Sequence, residues 1–351
     1  MIDGQLADLY LLDPRPAPLR FGNGLINETY LVYRQGQKNL LQKINHKVFK
    51  DVGVLMENLR QVCTHVNTKF PDEPFISVVP TTDGAPFAEV KGNFWRMLKF
   101  IPDTHSYESL SSTHQAFEAG KVIGHFHVLL GEMDITGIRD TIPQFHDLEF
   151  RINQFHQAVE ANIANRAGDC KEDIEFLLGL TQEVLSKQRQ ANQPLRAVHN
   201  DTKLNNILFD EKDQGVCMVD LDTLMQGYII YDTGDALRTL CNPAGEDGKQ
   251  GTMNFNQPAY EKFIEGYLEK AGGFLSEEEL RLIPFSMIRM STEQCIRFLS
   301  DHLNGDIYFH QPYPGFNLNA ARNQIRFIHL TLEKESWMEN VLSGFLRRFG
   351  S

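Results

Sequence analysis

Cysteine is scarce in this chain: five in 351 residues (Cys63, Cys170, Cys217, Cys241 and Cys295), odd in number, scattered and never in a Cys-x-x-Cys pair. That excludes a disulfide framework and a cysteine zinc site, and it fits a reduced, intracellular protein. Positive charge is also short. Lys and Arg total 34 against 46 Asp and Glu, a formal net charge of −12, which argues against nucleic acid or an anionic membrane surface as a partner. No stretch approaches the roughly 18 apolar residues of a membrane span. Asp3, Asp8 and Asp13 interrupt the only apolar run near the start, so no signal peptide is expected and the cytoplasm is the expected location. The twelve histidines do not compensate as metal ligands. His125 and His127 are two apart and fall on different sides of a helix, and His146 and His156 lack a cysteine or carboxylate at ligand spacing.

What is present is a chain of two characters. Leu19-Arg20-Phe21, the turn Gly22-Asn23-Gly24 and the alternating Thr29 to Tyr33 read as a hairpin, and Asn39 to Ile44 as a third strand. From Asp51, a candidate N-cap, Leu55, Leu59, Val62 and Val66 recur at helical spacing. Phe75 to Val79, Pro86 to Val90 and Phe94 to Phe100 complete a sheet of about five strands. After Ile101-Pro102-Asp103 the pattern turns helical, over Thr113 to Leu130, Ile174 to Lys187, Pro258 to Ala271, Ser276 to Leu303 and Ala320 to Phe349. Residues 137–155 read as an aromatic segment, loop-like at first, with closure over a substrate and ordinary lobe packing both open to it, and residues 242–258, rich in Gly and Asn, as a mobile loop. The expected fold is α+β and protein-kinase-like: a small antiparallel-sheet N-lobe over 1–101 and a larger, mainly helical C-lobe over 102–351. At this length two lobes are expected in any case.

The chemistry concentrates between Val198 and Thr223. Ile207-Leu208-Phe209 and Val216-Cys217-Met218-Val219 are apolar runs joined by a polar hexapeptide, the signal of two paired strands. Asn206 and Asp220 each lie seven residues from Asp213 (213 − 206 = 7; 220 − 213 = 7), so an in-register hairpin would set them side by side. An amide oxygen and a carboxylate there suit Mg²⁺, which shares its oxygen ligands with substrate phosphates. Asp201, five residues before Asn206, is free to face an incoming hydroxyl. His-x-Asp-x-x-x-x-Asn ahead of a strand ending in Asp is the kinase catalytic-loop pattern, met by His199, Asp201, Asn206 and Asp220. The second strand ends in Asp-Leu-Asp, not Asp-Phe-Gly, and no Ala-Pro-Glu follows, which speaks against a protein kinase.

Three further segments belong to this reading. Gly22, Gly24 and Asn27 form a candidate phosphate cover, because glycine lets backbone approach a nucleotide. A kinase also needs a strand lysine on the phosphates. The register of the apolar pair puts Gln42, not Lys43, at that point, with Lys203 as an alternative source of charge and Lys43 left to the surface. Asp232 is placed to brace the catalytic loop through its backbone or His199, and Asp235 and Arg238 are spaced for a local ion pair.

The loop pattern resembles the aminoglycoside phosphotransferase and choline kinase group of small-molecule kinases. The runs Gly-x-Gly-x-Ile-Asn-x-Thr-Tyr-Leu-Val (22–32), Val-Val-Pro-Thr-Thr-x-Gly (78–84), Trp-Arg-x-x-Lys-Phe-Ile (95–101), His-Asn-Asp-Thr-Lys-Leu-Asn-Asn-Ile-Leu (199–208), Asp-Leu-Asp-Thr (220–223) and Arg-Phe-Leu-x-Asp-x-Leu-x-Gly-Asp-Ile-Tyr-Phe (297–309) look more narrowly like the N-acetylhexosamine 1-kinases. That resemblance implies ATP and Mg²⁺ as cofactors, a small-molecule sugar phosphorylated at its anomeric hydroxyl, and a monomer or weak dimer. It makes Asp201 the base and Asn206 and Asp220 the metal ligands. Lys99, Phe100, Ile101 and Lys203, with Gly22, Gly24 and Asn27, become nucleotide contacts. Asp222 is a second metal or sugar contact, and Arg297 and Tyr308 reach the sugar. The family's Gly-rich loop commonly carries His where this chain has Leu25, a departure that bears on which sugar is used. Arg297 has a competing assignment in an exposed helix ladder, since Glu293 and Asp301 lie at i−4 and i+4.

Overall fold

The computed structural model describes residues 2–22, 24 and 26–349. Asn23 and Leu25 of the glycine-rich turn therefore lie outside the described residues. The N-terminal part opens with α1 (Gly4–Tyr10) and then lays down β1 (Leu19–Arg20), β2 (Glu28–Arg34) and β3 (Gln37–Ile44). Next come α2 (Val52–Lys69), β4 (Val78–Val79), β5 (Ala88–Val90) and β6 (Asn93–Lys99). The strands form one antiparallel sheet of six, not about five, in the order β1-β2-β3-β6-β4 with β5 on β6. β1 and β2 pair as the hairpin expected from the sequence, Leu19 opposite Leu31. Asp51 caps α2 by accepting from the Val54 amide at 3.0 Å, and Leu55, Leu59, Val62 and Val66 form its buried face.

β7 (Thr104–His105) leads into the helical part, which holds α3 (Thr113–Leu130), α4 (Leu148–Ala161) and α5 (Lys171–Gln190). β8 (Arg196–Val198), β9 (Ile207–Asp210), β10 (Gly215–Met218) and β11 (Met225–Gly227) follow, then α6 (Ile229–Leu240), α7 (Gln257–Ala271), α8 (Glu277–Leu303), α9 (Phe316–Glu333) and α10 (Glu335–Phe349). Residues 137–155 are loop-like only at first: Asp147 accepts from the Phe150 amide and starts α4, turning Ile152 and Phe155 into the core. The span Ala320 to Phe349 is two helices, because the first ends at Lys334, whose amide returns to Thr331 and Leu332.

α3 and α7 approach very closely. A Cβ on Gly266 would stand 2.0 Å from the Phe117 carbonyl oxygen, and one on Gly120 2.2 Å from that of Phe263. Glycine at both points lets the backbones touch. α8 begins with a capping box, Ser276 with Glu279, and the same Glu279 takes Arg196 in a bidentate pair at 2.6 and 2.9 Å. The strand that leads into residues 199–206 is thus tied to the start of α8. Among the described residues no helix is long and apolar enough to cross a membrane.

Candidate active site

β8 delivers the chain to a loop, 199–206, whose backbone is held from below by one buried carboxylate. Asp232, at the first turn of α6, accepts from the amides of His199 at 2.8 Å and Asn200 at 2.7 Å. Its other neighbour is His127 of α3, 2.9 Å away, which in turn meets the Tyr267 hydroxyl of α7 at 2.9 Å. The glycine contacts between α3 and α7 bring these two rings into line. Burial alone would raise the Asp232 carboxyl, but the bond to His127 and the charges of His127 and His199 hold it below its ordinary value. The brace read from the sequence is therefore present, through backbone amides. Asp235 and Arg238 also pair, at 2.9 Å, and Glu246 closes the other side of that guanidinium at 3.0 Å.

A second support comes from the opposite flank of the loop. His146 sets one ring nitrogen 3.0 Å from the Asn200 carbonyl and the other 2.7 Å from Glu293 of α8, which also takes Arg289 at 2.6 Å. The sequence held no local signal for this group, because His146, Asn200 and Glu293 are separated from one another by more than fifty residues. The His199 ring reaches the Val219 carbonyl at 2.8 Å and so ties the loop to the end of β10.

Held this way, Asn200 adopts a left-handed backbone (φ 66°), and the Asp201 side chain keeps 29% of its surface open. Lys203 lies 2.8 Å from one Asp201 oxygen, and Asn206 donates through Nδ2 to the other at 3.0 Å and to the Asp201 carbonyl at 2.8 Å. Burial pushes the Asp201 carboxyl up, but Lys203 and its neighbours outweigh it, and the group stays ionised below the usual carboxylate range. A proton acceptor is thus charged and accessible. The Asn206 bonds use its amide nitrogen, which leaves Oδ1 for a cation.

The hairpin register departs from the symmetric expectation by one residue. Gly215 stands opposite Phe209 but Met218 opposite Ile207, so a bulge at Val216 intervenes, and the Val219 amide, not that of Asp220, pairs with the Asn206 carbonyl at 2.9 Å. Asp220 follows in a left-handed conformation (φ 61°) and heads the short turn Leu221–Thr223. Its residue surface is exposed to the cleft, yet desolvation by the surrounding protein, then the charges of Asp222 and Asp201, pushes its carboxyl up to about 7. A carboxyl crowded by other carboxylates gains most from a divalent cation, and its oxygen with that of Asn206 is a donor set suited to a hard ion. Among the described residues no group of three or more His, Cys, Asp or Glu forms a metal cage. An ion here would also need substrate oxygens.

Asp222 is 4% exposed and already engaged. Arg96 of β6 lies 2.5 Å from Oδ1, and Asn27, at the foot of the glycine-rich turn, donates to Oδ2 at 2.6 Å. Asn27 also accepts from the Asn45 amide at 2.9 Å. Lys43 turns outward to Glu28 at 3.5 Å, as its register predicted. Gly22 is left-handed at φ 73° and, like Gly24, exposed. Beside them Phe21 meets Phe100 edge to face, centroids 5.8 Å apart. Lys99 is exposed at the end of β6, and the Ile101 carbonyl accepts from Thr104 at 2.8 Å.

Arg297 and Tyr308 come together. The guanidinium lies 6.0 Å from the Tyr308 ring and 5.5 Å from those of Phe145 and Phe309. The helix ladder does not form. Glu293 is committed to His146 and Arg289, Asp301 accepts from the amides of Ile307, Tyr308 and Phe309, and Arg297 donates to Gln294 at 2.7 Å. Phe145 adjoins His146, which links this cluster to Asn200. A cavity of about 360 Å³ beside Asn200 shares Phe145 and His146 with this cluster and is also lined by Asp140, Asp147, Glu149 and Tyr231.

Comparison with known proteins places these features in context. The profile of the phosphotransferase enzyme family matches residues 19–276. Among solved structures, a microcompartment-associated aminopropanol kinase superposes with TM-score 0.63 at 13% identity, covering 95% of this chain and 97% of its own. A choline/ethanolamine kinase family protein from Mesorhizobium loti gives 0.60 at 15%, covering 99% and 96%. A spectinomycin phosphotransferase bound to ADP and spectinomycin gives 0.56 at 13%, covering 95% and 99%. At these identities the likeness is one of fold.

Proposed function

The chain belongs to the phosphotransferase enzyme family, and from that premise we propose that it transfers the γ-phosphoryl group of ATP, with Mg²⁺, to the anomeric hydroxyl of an N-acetylhexosamine. The observation that carries the phosphoryl-transfer reading is the charged, accessible Asp201 carboxylate fixed between Lys203 and Asn206 and next to the crowded Asp220. Asp201 accepts the hydroxyl proton as the sugar oxygen attacks phosphorus and the bond to ADP breaks. Lys203 balances charge beside it, and Asn206 fixes its rotamer while keeping Oδ1 for the metal. Asn206 and Asp220 would hold Mg²⁺, which when bound would supply charge neutralisation for the phosphoryl group. Gly22, Gly24, Asn27 and Lys99 to Ile101 would supply the nucleotide contacts, and the two lobes meet near residues 101 and 102.

The sugar reading rests on the block 297–309 and on charge. Arg297 has no carboxylate partner within 4.0 Å among the described residues, and its charge depresses the basicity of nearby Arg151, after burial the main cause. A surface with two guanidinium groups repels a cationic acceptor and suits a neutral one rich in hydroxyl and carbonyl oxygens. Arg297 and Tyr308 supply those donors. The second reading, a cationic amino alcohol or aminoglycoside, draws on the cavity beside Asn200 with Asp140, Asp147 and Glu149. Yet Arg189 neutralises Glu149 at 2.6 Å, and Asp147 is spent on the α4 cap. ATP consumption measured against N-acetylglucosamine, N-acetylgalactosamine, homoserine, choline and aminoglycosides decides between them. Turnover confined to a cationic acceptor sinks the sugar assignment, and no turnover with any acceptor in the panel counts against both.

A further inference from the structure

In kinases a lysine on the third strand meets the nucleotide phosphates and is held by a glutamate of the following helix. Both halves of that device are missing here. The strand position holds Gln42, and α2 carries a single acid, Glu57, which turns to Arg60 at 2.7 Å. Directly across the sheet, β3 pairs with β6 so that Gln42 stands opposite Arg96. Residues opposite one another in an antiparallel pair share a face, so Arg96 projects on the side where the missing lysine would.

The Arg96 side chain is 2% exposed. Gln42 accepts from its Nε at 2.9 Å and is itself steadied by a bond to Thr29 at 3.0 Å. Nη1 is 2.5 Å from Asp222 in charge contact, but that contact lacks hydrogen-bond geometry, and Nη1 has no hydrogen-bond partner. A buried guanidinium costs much to desolvate and keeps its charge. Here it is aimed at the acid two residues from the metal-ligand candidate Asp220, under the turn that ends in Asn27.

We propose that Arg96 is the N-lobe cation that binds the nucleotide's phosphate oxygens, with Gln42 and Asp222 as its positioning residues in the places of the strand lysine and helix glutamate. The ligand chemistry is the di- or triphosphate of the nucleotide, met by a planar fork of donors in place of a single ammonium. The inference rests on the kinase reading and deepens it. Wild-type binding of ADP, measured by calorimetry, tests that reading first, and its absence overturns both.

The discriminating comparison is adenosine against ADP and ATP. Arg96→Met is expected to weaken ADP and ATP by about tenfold or more, the scale of one lost charge-assisted contact, and to leave adenosine within about twofold. Equal weakening of all three, or none, returns Arg96 to a structural role while leaving the kinase reading intact. Gln42→Lys combined with Arg96→Met restores the usual strand cation on the same face and is expected to recover most of the lost phosphate affinity. A double variant no better than Arg96→Met overturns the shared position. Should Arg96→Met fail to fold, Arg96→Lys carries the same test: weaker ADP with unchanged adenosine supports the assignment, and unchanged ADP overturns it.

Discussion

The loop at 199–206 and the cluster around Arg297 are built on opposite plans. The loop rests on buried groups that satisfy one another: Asp232 under two amides, His127 and Tyr267 behind it, His146 and Glu293 on the other flank. The Arg297 cluster is aromatic and open, with Tyr308 65% exposed and Ile307 80%. Changing a member of the first set leaves another buried polar group unpaired, which is costly. Changing a member of the second exposes little. On the proposed assignment, reaction type sits where substitution is expensive, and acceptor choice where it is cheap.

The largest test of that contrast is Asp201→Asn, which keeps shape and removes the proton acceptor. kcat is expected to fall by ~10²–10⁴ with nucleotide affinity retained, and an undiminished kcat would remove Asp201 from the chemistry. Next, Asp232→Asn leaves every substrate contact in place but loosens the loop, so kcat is expected to drop by about 10², the scale of a small misplacement of a catalytic group. The check is kcat against the KM for ATP; a change in KM alone would mean that the brace does not set the geometry.

On the open side, Arg297→Ala is expected to raise the sugar KM by roughly 1.5–3 kcal/mol equivalent while the KM for ATP holds. A stability loss under about 1 kcal/mol with both constants unchanged would make it a surface residue. The smallest effect concerns pH. Burial pushes the Glu293 carboxyl up, but His146 and Arg289 outweigh it and hold it well below its ordinary value. A depressed folded-state pKa contributes stability that is present above the unfolded value, about 4.3, and is lost as pH falls through the folded one. Melting temperature should decline from about pH 5 downward, and Glu293→Gln should flatten that decline. An equally steep profile in the variant would assign the acid sensitivity elsewhere.

Much of the reaction centre was legible because it is local. His199, Asp201, Asn206 and Asp220 fall within 22 residues, and strand and helix periods around them follow from apolar spacing. The bulge at Val216 was not legible, since nothing in Gly215 to Val219 separates a regular strand from one with an extra residue. Nor were Arg96, His146 and Glu293, whose partners arrive from distant segments. Arg96 carried one usable signal: a strand lysine absent at Gln42 implies a cation from the neighbouring strand. The α4 start was hidden because Asp147 as a cap looks like any loop acid until Ile152 and Phe155 find a core.

The bulge has a bearing on how this protein tolerates changes of length. Side chains on a strand alternate faces, so a one-residue deletion between 210 and 216 would invert every position beyond it relative to β9. Asp220 and the short turn after it follow directly from that strand and would be displaced with it, along with the carbonyl of Val219 that holds His199. Single-codon deletions in this turn should therefore be lethal to activity even though most of its side chains face solvent, while paired deletions or insertions should be borne better. The surface tip of the hairpin is constrained by count, not by composition.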